Sequence, residues 1–187
     1  MGEIRKEPPR GKLFFGLLGV SDEMLELARR RLAVDFSPVD CASAVIPFTH
    51  TNYYQREIGQ ALLRQWIAMS GTILLAELPD FKLHTNSLEK LFAEGGGRRV
   101  NIDPGYITLS KVVLATTKDY DHRICTGNGI FEEVTLHYRR SAGGFVPWPW
   151  TYPDYATETA RAFFLAARAL LHDCLKHDTQ KGECHEF

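Results

Sequence analysis

No apolar run in this sequence approaches the roughly 20 residues that a membrane-spanning helix needs. The longest, LFFGLLGV from Leu13 and FFLAARALL from Phe163, stop well short of it, so no membrane partner is expected. The opening MGEIRKEPPRGK is charged and Pro-rich with no apolar stretch behind it, unlike a secretory signal. Lys6 also stands where a myristoylation signal wants Ser or Thr. The four cysteines, Cys41, Cys125, Cys174 and Cys184, lack the density of a disulfide scaffold and are expected as reduced thiols, so the expected location is cytoplasmic. Net charge is nearly absent too. Lys plus Arg number 22 against 23 Asp plus Glu, which removes a global nucleic-acid signal and makes DNA an unexpected partner. RNA or a protein partner stays open.

Familiar signatures are also missing. There is no G-x-x-x-x-G-K-[ST], so the GLLG after Phe15 is no P-loop, and neither G-x-G-x-x-G nor G-x-S-x-G occurs. His172, Cys174, His177, Cys184 and His185 crowd the end of the chain but match no usual pairing of zinc-ligand spacings, and no metal site is expected. No cofactor is identified, and no internal repeat or low-complexity segment appears.

What is present reads as one α+β domain over residues 13–177, between a loose tail at 1–12 and a polar tail at 178–187. The run from Leu13 suits a buried strand, and Ser21 caps a helix whose Met24, Leu25, Ala28 and Leu32 form one face. CASAVIPF reads as a second strand and Arg64 to Met69 as a third. TNSLEKLFAEGGG reads as a helix capped at Thr85, Asn86 or Ser87, and RRVNID starts a fourth strand. Strand, helix, strand, strand, helix, strand is the order of a ferredoxin-like unit. A mainly antiparallel sheet is therefore expected, extended by a β-hairpin at Gly127-Asn128-Gly129 and covered by an amphipathic helix from about Thr157. Either two-residue turn there places Arg123 and Cys125 on one face with Ile130, Glu132, Val134, Leu136 and Tyr138.

Candidate site residues gather between Asn101 and Glu132. Arg123 facing Glu132 is either a pair that pins sheet register or the floor of a charged cleft. Asp103-Pro104-Gly105 has the composition of a turn. Lys111, Lys118, His122 and Arg123, with Asn101 and Tyr106, form a candidate ligand set, since Lys offers point charge to an anion and Arg a planar fork. Glu132, Asp103 and His50, the last in the polar segment FTHTNYYQRE, are the candidates for acid–base work. The expected ligand is a phosphorylated small molecule or a nucleotide. An enzyme acting on such a substrate is the alternative, and an RNA- or protein-binding scaffold using PWPWTYPDY is the second. No nucleophile–base pair is recognisable, which favours binding over catalysis.

Five separated stretches, KLFFGLLGVSDE, PFTHTNYYQREIG, RRVNIDPGYITLSKVVLATTKDYDHRI, GIFEEVTLHY and PWTYPDY, occur in order and span roughly Lys12 to Lys176. Together they resemble the uncharacterised bacterial family called domain of unknown function 4416. The resemblance implies no established activity. Some members carry an automatic GTP-binding label, to which the missing P-loop lends no support. Thr49 and Asn52 stand where members commonly have acids, which weakens a metal-binding role for that segment.

Overall fold

Every residue of strand β1 (Arg10–Gly19) after its first is buried, so this strand needs cover on both faces. The computed structural model describes residues 8–49 and 62–183, with side chains as far as Lys176. Helix α1 (Asp22–Asp35) follows, with Ser21 Oγ accepting the Met24 N–H at 3.2 Å. The strand expected over 41–48 is divided into β2 (Val39–Ala42) and β3 (Ile46–Phe48), both paired with β4 (Leu62–Met69). The short β5 (Ile73–Leu74) lies beside the start of β1. Helix α2 (Leu78–Leu91) and strand β6 (Val100–Ile107) complete the first half.

Strand order β6-β1-β4-β2, all antiparallel, is fourth, first, third, second along the chain. That is the ferredoxin-like arrangement. The sheet continues past β6 through β7 (Lys111–Thr116) and β9 (Ile130–Arg139) to β10 (Gly144–Pro147), with β8 (Ile124–Gly127) added to β9. Phe15, Leu17, Ile67 and Ile102 pack beneath α1 and α2. On the opposite face Phe14, Trp66, Leu114 and Leu136 meet Ala160, Phe163, Phe164 and Ala167 of α3 (Glu158–Glu183). No helix among the described residues is long and apolar enough to cross a membrane.

Several boundaries differ from the sequence reading. β1 begins at Arg10, inside the expected tail 1–12, and Lys12 is fully buried against Asp40. α3 runs to Glu183, through part of the expected tail 178–187. α2 starts at Leu78 with Pro79 in its first turn, where a missing N–H costs nothing. Thr85, expected as a cap, is buried mid-helix, and its hydroxyl donates to Lys82 O at 3.1 Å.

The hairpin turn does form at Asn128-Gly129, both with positive φ, joining paired Gly127 and Ile130. A bulge between Cys125 and Gly127 then shifts the register, so that Ile124 lies opposite Glu132. One extra residue reverses which side chains share a face. The expected Arg123–Glu132 pairing is thereby replaced by Arg123 with Glu133.

Candidate functional site: a cleft where the sheet parts

Asp103-Pro104-Gly105 is no turn: all three residues lie inside β6, opposite Gly16, Phe15 and Phe14 of β1. On its other edge β6 pairs with β7 only through Gly105, Tyr106 and Ile107. Gly105 is obligatory there, because a Cβ would collide with Val113 O and the Phe14 ring. The Ile102 N–H points away from β1, since it donates to Glu89 Oε1 on α2 at 2.7 Å. N–H groups two residues apart point the same way in a strand. Pro104 therefore sits where its N–H would have continued the ladder to β7, and having none, it ends that ladder. Beyond it the strands part. Glu89 takes the Ile102 N–H, and Lys82 Nζ reaches Ile102 O at 3.4 Å, so α2 supplies the partners that β7 does not.

A cleft of about 610 Å³ occupies the gap, within the usual range for small-molecule sites. In its floor Arg64 and Asp154 form a buried ion pair at 2.7 Å, with the guanidinium held against the rings of Trp66 and Tyr155 at 5.1 and 5.0 Å. Asp103 accepts from Lys82 Nζ at 3.0 Å and from Asn101 Nδ2 at 2.6 Å. Burial alone would raise its carboxyl, but the charges of Lys82 and Arg64 and these hydrogen bonds hold it below its ordinary value. Glu89 is shifted the other way: burial raises it despite Lys82. Arg98 ties this end together, donating to Glu89 at 3.1 Å and to Asn101 Oδ1 at 3.4 Å.

Across the cleft stands the loop between β7 and β8. Arg123 uses its whole fork there, donating to Glu133 at 2.8 Å, to Lys118 O at 3.0 Å and to the Tyr152 hydroxyl at 2.8 Å. Burial disfavours its charge, but Glu133 and Tyr152 raise its pKa. His122 Nε2 lies 3.2 Å from the same Glu133 carboxylate. Its ring stacks between Tyr120 and Trp150, and Trp150 stacks in turn on Trp148.

Of the residues singled out in the sequence, Asn101, Asp103, Lys118, His122 and Arg123 line this cleft. Lys111, Tyr106 and Glu132 do not. They sit together near Ile130 and Val113, where burial raises Glu132 against the hydroxyls of Thr126 and Tyr106 and the charge of Lys111. Burial and the neighbouring Glu132 push the Tyr106 phenol up to about 12. His50 lies outside the described residues. Arg64, Lys82, Glu89, Arg98, Glu133 and Asp154 are the charged lining that sequence reasoning missed. Among them Glu133 was within reach, had the bulge beside Gly127 been foreseen. Arg64 and Asp154 meet from opposite halves of the chain and carry no local signal.

Five Lys or Arg and four Asp or Glu thus line one cleft, most of them held by one another. Asp103, kept anionic by two cations, is a poor proton acceptor but a fixed hydrogen-bond acceptor. Among the described residues no group of three His, Cys, Asp or Glu side chains is placed to hold a metal ion. No curated protein and no solved structure matches the chain significantly. Residues 9–170 match the family described as domain of unknown function (DUF4416), and the chain belongs to that family.

Proposed function

We propose that the cleft binds a small phosphorylated molecule or a nucleotide, as a binding site and not a catalytic one. The observation that carries this reading is the fixed, slightly cationic lining at the parted strands, with five basic side chains around one opening. Guanidinium and ammonium groups already held by carboxylates meet an anion without losing further side-chain freedom. Lys118 and Arg98 line the opening and are the groups we assign to the phosphoryl oxygens. The depressed Asp103 argues against the alternative of an enzyme using it as general base, since such a base works best with a pKa near the working pH. A cytoplasmic location belongs to this reading and rests on the unpaired Cys41, Cys125 and Cys174.

A thermal-shift panel of inorganic phosphate, ribose 5-phosphate and nucleoside mono- and triphosphates tests it. A compound present at 100 times its Kd adds about 2.7 kcal/mol to stability. Lys118→Ala is expected to abolish that shift, and Lys111→Ala, away from the cleft, to leave it. No shift from any compound, or equal loss in both variants, would contradict the proposal. A second reading has its own observation: Trp148, Trp150 and Tyr152 are 37, 39 and 39 % exposed, a surface on which single-stranded RNA bases or a protein partner would pack. Anisotropy of a labelled RNA oligomer, compared between the native chain and Trp148→Ala, decides it.

A further inference from the structure

Three polar atoms in the cleft floor complete no hydrogen bond among the described residues; two of them, Arg64 Nε and Asp154 Oδ2, belong to the ion pair, and the third has no charged group of its own. This third atom is the hydroxyl of Tyr155, a residue only 1 % exposed that lines the cleft beside Arg64 and Asp154. Trp66 Nε1 lies near it and is likewise without a completed hydrogen bond. Folding does not usually leave a buried hydroxyl unmatched, and such a group asks for a partner from outside the chain. Burial pushes the phenol far above its ordinary value, so the hydroxyl keeps its proton and can donate it in a hydrogen bond.

The surroundings say what kind of atom that partner is. Gly16 lies directly below: a Cβ there would run into the Tyr155 hydroxyl and touch the Arg64 guanidinium, whose charge is already paired with Asp154. Asp103 is the β6 residue opposite Gly16 and is near enough for its charge to act on Tyr155. Asp103 is an anionic acceptor, already oriented by Lys82 and Asn101. A donor and an acceptor therefore line the same part of the cleft beside Gly16. A phosphate oxygen would accept from Tyr155 but be repelled by Asp103, and an ammonium would do the reverse. An alcohol hydroxyl satisfies both at once, accepting from the phenol and donating to the carboxylate.

We infer that the floor above Gly16 is a subsite for an alcohol hydroxyl of the ligand, read by Tyr155 and Asp103. The ligand is then a phosphorylated polyol or sugar, the sugar of a nucleotide included, and not a bare phosphate ester. This rests on the phosphoryl reading of the cleft and names the other end of the same molecule.

The test is calorimetric titration of the full chain and of Tyr155→Phe with ribose 5-phosphate and with methyl phosphate, plus the thermal midpoint of each protein without ligand. The native chain is expected to bind ribose 5-phosphate at least about tenfold more tightly than methyl phosphate. Tyr155→Phe should lose about tenfold for the sugar phosphate alone, the size of one hydrogen bond in a dry site. Its midpoint without ligand should not fall, because the hydroxyl has no completed hydrogen bond among the described residues. Three results overturn the inference and leave the phosphoryl reading standing: equal affinity of the native chain for the two esters, full discrimination by Tyr155→Phe, or a lowered midpoint in that variant. Failure of both esters to bind the native chain removes the phosphoryl reading, and this inference with it.

Discussion

Strand β6 meets β7 in two different ways along its length. From Gly105 to Ile107 the strands are zipped, and the side chains around that part, Tyr106, Val113 and Ile130, belong to an apolar cluster. From Asn101 to Pro104 the same edge of β6 faces a cleft, and its backbone groups are met by Glu89 and Lys82 from α2. One proline separates the two halves. The comparison teaches that a sheet can open a site in its own middle, provided a helix supplies the hydrogen bonds that the neighbouring strand withholds.

The largest effect is expected where the open half is tied across to β9. Glu133 is buried and shared by Arg123 and His122, with Thr135 donating to it at 3.0 Å. Glu133→Ala strands the Arg123 guanidinium and is expected to cost about 3–5 kcal/mol in urea unfolding. Its neighbour Glu132, half-buried and with its carboxyl raised by burial, is expected to accept Gln at a cost below about 1 kcal/mol. Equal costs would mean that the bulge-shifted register is wrong.

Next comes the stand-in for the missing strand. Glu89→Leu leaves the Ile102 N–H without an acceptor and is expected to cost about 1–3 kcal/mol and speed exchange of that amide, whereas Glu89→Gln keeps an acceptor and most of the stability. A slow Ile102 amide in Glu89→Leu would show that β7, not α2, holds it. Pro104→Val restores the donor that the ladder lacks. Stability should change by less than about 1 kcal/mol, while the parted strands draw together and the phosphate-induced shift shrinks. An undiminished shift would break the link between the proline and the site.

The smallest effects are in pH dependence, where the open half holds two carboxyls shifted in opposite directions. Asp103 is depressed below its ordinary 3.8, so the stability it contributes is present above that value and is lost as pH falls through the folded pKa. Glu89 is raised above its ordinary 4.5, so its contribution is present below that value and is lost as pH rises through the folded pKa. Asp103→Asn should flatten the acid limb of the unfolding free energy, and Glu89→Gln should remove the decline above 4.5. The same sign of change in both would contradict the assignment.

Much of the first half was legible because its strands and α1 follow simple periodicities, and Ser21 marks where the helix begins. The failures have local causes. Asp-Pro-Gly has turn composition, yet the same proline and glycine serve a strand that ends a ladder and packs tightly against another. Pro79, which reads as a break, hid the first two turns of α2, and with them Lys82. The Asn128-Gly129 turn could be read, but not the extra residue beside it, and that residue decided between Glu132 and Glu133. Arg64 and Tyr155 are brought together only by the finished sheet, through a glycine whose role is to leave room.

The most direct measurement is NMR mapping of ribose 5-phosphate on the full chain. The account predicts saturable shifts concentrated on the open half, at the amides of Asn101 to Asp103 and of Thr116 to Lys118 and at the Arg64 side chain, with Tyr106, Lys111 and Glu132 nearly still. Shifts centred on Tyr106, Lys111 and Glu132, or none at saturating concentration, would contradict it.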